Sequence, residues 1–264
     1  MRDREELFLK ENGLDVDGID RAKLLAAFAE EMDAGLAGKP SSLMMIPSFI
    51  SIDRPVKTGT PVVVLDAGGT NLRAAVVTID DAGQAQIGSF SKGAMPGTQG
   101  EISAEAFFDA FADFLMPVIT ESESIGFCFS YPAEITPTCD ARLLHWSKQI
   151  EVPEVVGQMI GAGLLRHLAQ RGYERRVVIL NDTVATLLAG KSAGIAKPYS
   201  AYVGFILGTG TNTAYVERND RITKRTDLDP AGSMVINIES GNFGRVQQSA
   251  FDKALGAQTI DPEY

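Results

Sequence analysis

The sequence predicts an α/β fold built as two related halves facing one cleft, and three observations carry that expectation. An apolar run, Val62-Val63-Val64-Leu65, ends in Asp66 and a glycine turn, Gly68-Gly69-Thr70-Asn71. Residues 201–216 repeat the plan: Ala-Tyr-Val-Gly-Phe-Ile-Leu runs into Gly208-Thr209-Gly210-Thr211-Asn212 and a second alternating segment. Between the copies, strand-like runs are interspersed with segments of helical period, the pattern of a sheet flanked by helices.

The two turns suit phosphate. Gly68 and Gly69 permit positive φ and close approach of a ligand, so successive amides can point at phosphate oxygens. Asp66 could carry hydrated magnesium, and Arg73 could pair with phosphate charge. The copies are not chemically equivalent, because Leu207 stands where the first has Asp66. A Rossmann dinucleotide turn is disfavoured, since neither copy completes G-x-G-x-x-G and strand-like alternation follows each. Such a repeat suggests the actin-like phosphotransferase architecture. A plain hairpin with a glycine-rich turn is the alternative for the first segment taken alone.

The elements follow in order. Leu24 to Met32 reads as an amphipathic helix stopped near Gly35 and Gly38-Lys39-Pro40. Strands are expected at about 62–66, 72–79 and 85–91, an antiparallel meander turning at Asp80-Asp81-Ala82-Gly83. Ser103 caps a helix whose Phe107, Phe108, Phe111, Phe114, Leu115 and Val118 form one apolar stripe, read as core. A strand at 125–129 leads into Ser130-Tyr131-Pro132. Val155, Val156, Met159, Ile160, Leu164 and Leu168 mark a helix ending at Arg171-Gly172, and Arg176 to Leu180 is a buried strand.

Composition narrows the class. The chain has 264 residues, 45% of them apolar, enough for two domains or subdomains. A net charge of −10 argues against a nucleic-acid surface, and an anionic substrate would need local cations or magnesium. The start, Met1-Arg2-Asp3-Arg4-Glu5-Glu6, is too charged for a signal peptide, and no apolar run reaches membrane-spanning length; a cytoplasmic, membrane-free protein is expected. Cys128, Cys139, His145 and His167 form no metal or disulfide pattern.

Asn181-Asp182-Thr183 stands where a strand passes into a helix, at the carboxyl end of the strand, where α/β sheets place ligands. Two readings stay open for Asp182. It could cap the helix by accepting amide hydrogen bonds, or act as a general base toward a hydroxyl attacking a γ-phosphate.

In their joint order several segments resemble the hexokinase family, over residues 24–264. They are Ser42 to Phe49, Leu65 to Arg73, Phe127 to Pro132, His145-Trp146-Ser147-Lys148, Asn181 to Thr186, Gly208 to Asn212 and Asn237-Ile238-Glu239. The resemblance implies the actin-like ATPase (ribonuclease H-like) fold. A leading helical segment (1–60) would pack on the large domain, with a small domain over 61–197 and an incomplete large domain over 198–264. It implies transfer of the ATP γ-phosphoryl group, with Mg2+, to the 6-hydroxyl of glucose or a related hexose. Asp182 would be the catalytic base, with Lys148 also at the catalytic centre. Ser130, Ser147, Lys148, Asn181, Asp182, Asn212 and Glu239 would line the sugar site. Asp66, Gly68, Gly69, Thr70, Asn71, Arg73 and Thr209 would serve the nucleotide phosphates, Asp66 meeting the metal through water.

A polyol suits that set, because several hydroxyls need fixed donors and acceptors at once, which Asn, Ser, Lys and carboxylate groups provide. Ser147 replaces the family's usual threonine, and Ser240 its usual tryptophan after the glutamate. The ending, Ile260 to Tyr264, resembles a region well inside the family's large domain. Weak nucleotide affinity, little turnover by the 264 residues alone and exposed apolar surface are therefore expected. A catalytically inactive or truncated hexokinase-like protein that binds sugar or regulates is the alternative. Another actin-like ATPase, such as a chaperone-type domain, is a third reading that would leave Ser147-Lys148 and Asn181-Asp182 without a task.

Overall fold

The computed structural model describes residues 2–53, 55–146, 149–194, 197, 199–208 and 210–258. Two helices come first, α1 (Arg2–Glu11) and α2 (Arg21–Leu36), the second capped by Asp20, whose carboxylate accepts from the Lys23 amide at 3.0 Å. A two-residue strand, β1 (Ile46–Pro47), follows. Next come β2 (Val62–Gly68), β3 (Asn71–Ile79) and β4 (Ala85–Ala94), the expected meander, with Asp66 opposite Arg73.

Helix α3 (Ala104–Leu115) begins at Ser103, whose hydroxyl accepts from the Ala106 amide at 3.2 Å. It ends before Val118, because Pro117 cannot supply the next amide; Val118 is buried all the same. Strand β5 (Ser124–Phe129) then pairs in parallel with β2 and leads into a hairpin of β6 (Ala133–Ile135) and β7 (Ala141–Leu143). The next helix, α4 (Ile160–Gln170), starts later than its apolar pattern suggests. Pro153–Val155 forms a separate 3-10 turn and Gly157 takes φ +82°. The helix start is fixed by Asp140, which accepts from the Gly161 and Ala162 amides at 2.6 and 2.9 Å. Strand β8 (Arg176–Leu180) lies where expected, but only its Ile179 is buried, because among the described residues β8 is the edge of its sheet and pairs with β5 alone.

The first sheet therefore runs β4-β3-β2-β5-β8. Its core is aromatic: Phe107, Phe108 and Phe111 from α3 meet Phe127 and Phe129 from β5 over Val63 and Leu65 of β2. Helix α5 (Asp182–Ala193) leaves this sheet and packs on the second, formed by β9 (Val203–Leu207), β10 (Thr211–Arg218) and β11 (Ser233–Asn237), with β1 on the outer edge. Val184 and Leu187 of α5 bury against Ala214 and Val235. Leu36 of α2 and the β1 approach, Leu43 and Met45, cover the other face with Ile236 and Ile238. A short helix, α6 (Ala250–Gly256), closes the described chain.

The internal repeat is visible as topology. In both sheets three consecutive strands form an antiparallel meander, β2-β3-β4 and β9-β10-β11. The first sheet adds β5 along the free side of β2, whereas β9 has no such neighbour among the described residues. Val203, Phe205 and Leu207 on β9 are accordingly 66%, 56% and 78% exposed. Among the described residues no helix is long and apolar enough to cross a membrane.

Candidate active site

The two sheets face each other across a cleft of about 680 Å³. From the first sheet and its connections it receives Gly69, Ser130, Tyr131, His145, Asn181 and Asp182. From the second come Gly210, Thr211, Asn212, Glu239 and Asn242. Gly69, Ser130, Asn181, Asp182, Asn212 and Glu239 are thus brought together from positions up to 170 residues apart in sequence.

Asn181 is the residue that caps α5. Its side-chain oxygen accepts from the Thr183 amide at 2.9 Å, which satisfies one of the open amides of the first turn. Asp182 is the first helical residue. Its Oδ1 also accepts from the Thr183 amide at 2.9 Å, while its Oδ2 bonds to none of the described residues. A carboxylate at a helix amino terminus gains from the dipole and keeps an oxygen for the cleft.

Asn212, Asn237 and Glu239 form a relay along the opposite wall. Asn212 Nδ2 donates to Asn237 Oδ1 at 2.9 Å, and Asn237 Nδ2 donates to Glu239 Oε1 at 2.7 Å. The Asn212 Oδ1 is itself fixed by the Thr213 and Ser240 amides, which donate to it at 2.7 and 3.2 Å. Glu239 sits at φ 57°, ψ 51°, left-handed backbone that a residue with a Cβ adopts only when its surroundings impose it. Burial pushes its carboxyl above the usual carboxylate range; the Asp182 charge pushes the same way, and the hydrogen bonds from Asn237 and Asn212 oppose it. Asn237 was not among the sequence candidates. Its signal was its place in the quoted Asn237-Ile238-Glu239 segment, two residues before the glutamate at the end of a strand.

The first glycine turn borders the cleft at Gly69, which takes φ +48°. The Tyr131 hydroxyl donates to the Gly69 carbonyl at 2.8 Å and pins the turn to the segment after β5. Asp66, Gly68, Thr70, Asn71 and Arg73 stand on or beside this turn without lining the cleft. Asp66 and Arg73 pair with each other at 2.6 Å. On the neighbouring strand β5, burial first and then the charges of Asp66 and Asp182 push the Cys128 thiol far up. Ser147, Lys148 and Thr209 lie outside the described residues.

Among the described residues no group of three or more His, Cys, Asp and Glu could hold a metal. The donors suit magnesium of another kind. A hard, hydrated cation bound mainly by substrate phosphates needs only one or two carboxylates, and the carboxylate beside the glycine turn, Asp66, is paired with Arg73.

Comparison with known proteins gives the family. Hexokinase family models match residues 10–192 and 202–264. Hexokinase-1 of Oryza sativa subsp. japonica is 33% identical over 261 residues, covering 91% of this chain and 51% of the rice protein. Hexokinase-2 of Solanum tuberosum is 32% identical over 253 residues, covering 89% and 50%. The Schistosoma mansoni hexokinase complexed with glucose superposes with a TM-score of 0.74 at 28% identity, over 89% of this chain and 55% of that one. The chain spans about half the length of the curated relatives it matches. Its two facing sheets have the actin-like ATPase fold of these structures, and the chain belongs to the hexokinase family.

Proposed function

We propose that the cleft binds a hexose, glucose in the first instance, and that the protein serves ATP-dependent phosphorylation of its 6-hydroxyl. The observation that carries this reading is the convergence of Asp182 with Asn212 and Glu239 across a cleft bordered by Gly69. Asp182 accepts the proton of the attacking hydroxyl through the oxygen not engaged by Thr183. Glu239, Asn212, Asn181 and Ser130 pair with the other hydroxyls, and by resemblance Ser147 and Lys148 join them. The amides around Gly68 and Gly69 hold phosphate oxygens, with Thr70, Asn71, Arg73 and Thr209 on the same side. Arg73 is held by Asp66, so phosphate binding draws on a cation already oriented. Magnesium, when bound with ATP, neutralises phosphate charge. Approach of the two sheets excludes water, which otherwise competes as acceptor. The glucose bound to the Schistosoma relative supports the choice of sugar.

The test pairs glucose titration calorimetry with a coupled phosphorylation assay on the natural protein and on Asp182→Ala. The variant is expected to lose kcat by about 10²-fold to 10⁴-fold, the usual contribution of a positioned base, with a much smaller change in glucose affinity. Near-normal kcat would return Asp182 to a structural role at the start of α5. Glucose binding without turnover in the natural protein would favour a sugar-binding protein.

A further inference from the structure

A second groove, of about 340 Å³, lies between β1 with its flanking residues and the β6–β7 hairpin. Its walls are apolar: Ile46, Pro47 and Phe49 on one side, Ile135 and Leu144 on the other. Only Met44 lines both this groove and the sugar cleft.

Two cations reach the groove from the loop between β10 and β11, and they differ. Arg225 is neutralised by Asp227, to which it donates at 2.8 and 2.6 Å, and its guanidinium lies 5.3 Å from the centre of the Phe49 ring. Lys224 has no carboxylate partner among the described residues. Its Nζ donates to the Met44 and Met45 carbonyls at 2.9 and 2.7 Å, so only backbone dipoles compensate its charge. Burial alone pulls its pKa down to about 8, which still leaves it mostly charged near neutrality.

We infer that this groove binds an amphipathic monocarboxylate, its hydrocarbon body between Phe49, Ile135 and Leu144 and its carboxylate on Lys224. The volume stands at the lower end of small-ligand sites, and a cation held only by backbone carbonyls in an apolar wall favours one negative charge. The Glu134 carboxylate on the same lining is 64% exposed and stands 3.9 Å from Arg142, so solvent and that cation offset its repulsion of the ligand. The site is independent of the sugar reading, because none of the residues that recognise the ligand here lines the sugar cleft.

Octanoate and 1-octanol, titrated calorimetrically and by methyl NMR of the methionines, test it. Octanoate is expected to saturate one site, to shift the Met44 resonance and to bind about tenfold or more tighter than octanol, the range of a charge-assisted hydrogen bond. Lys224→Met should bind the two probes alike. Leu144→Glu, at a partly exposed position on the groove wall, should weaken octanoate about tenfold by bringing a like charge to the site. If Lys224→Met does not fold, Leu144→Glu carries the test. Equal affinity for both probes, no saturable octanoate binding, or octanoate affinity unchanged by these substitutions would overturn the inference.

Discussion

Asn237 donates a 2.7 Å hydrogen bond to Glu239 and thereby holds a carboxyl whose burial works against its charge. The native pKa of Glu239 is raised, so between the unfolded and the native value the folded state binds the extra proton. Stability therefore declines as pH rises through that window, and the full penalty is present above it. Glu239→Gln keeps an acceptor for Asn237 and removes the penalty. The variant is expected to melt higher than wild type near neutral pH, to lose this difference in acid, and to bind glucose more weakly. Melting curves from about pH 4 to about pH 8, spanning the carboxylate range and neutrality, with glucose titration at each end, check this. Superimposable wild-type and variant pH profiles would refute it.

Gly204 is where β9 crosses closest to α5. A Cβ placed there would stand 2.4 Å from the Thr183 carbonyl oxygen and 2.9 Å from the Leu187 amide nitrogen, both backbone atoms that cannot swing away. Gly204→Ala should cost ~1–3 kcal/mol, the usual range for overpacking, and lower Tm by several degrees. Because α5 also carries Asp182, its displacement should weaken glucose binding as well. An unchanged Tm would mean that the two elements are not locked together.

Among the described residues no strand pairs with the outer side of β9, a liability of the kind edge strands present, with apolar side chains alternating along it. Phe205→Asp places a charge among Val203, Phe205 and Leu207 without touching the buried Gly204 face. Sedimentation velocity at rising concentration is expected to show less association for the variant than for wild type. Equal association would locate the sticky surface elsewhere.

Asp109 joins α3 to α4 through the buried His167 ring at 2.7 Å and Arg171 at 3.0 Å. The hydrogen bond from His167, then that from Arg171, holds the Asp109 carboxyl below its usual range. A carboxyl depressed in the native state contributes stability above its unfolded pKa, and that stability is lost as pH falls through the native value. Asp109→Asn should lower Tm modestly near neutrality, where solvent screens this half-exposed group, and flatten the acid limb of the stability curve. An acid limb identical to wild type would assign that limb to other carboxyls.

Much of this arrangement was legible in the residues. The meander after Val62, the Ser103 cap, the α3 stripe and the Asn181-Asp182 junction are local features, set by side-chain period and by which groups can cap an open helix turn. The two glycine turns were visible as a repeat, and the repeat predicted two facing halves. The start of α4 was not legible, because Asp140, twenty residues upstream, fixes it. The same limit applied to β8, whose apolar run reads as buried although the sheet leaves it at an edge.

What the sequence determined by itself was the family and the local elements, since each depends on residue type and short-range order. Tertiary structure decided the rest: that α5 is capped by Asn181 and so leaves Asp182 an oxygen for the cleft, that Asn237 holds Glu239, that Asp66 and Arg73 pair with each other, and that Lys224 lacks a carboxylate among the described residues. Each depends on how side chains and sheets meet and on how much water remains between them. Burial and the choice of polar partner arise only when distant segments pack, and no window of sequence contains both sides of such a contact.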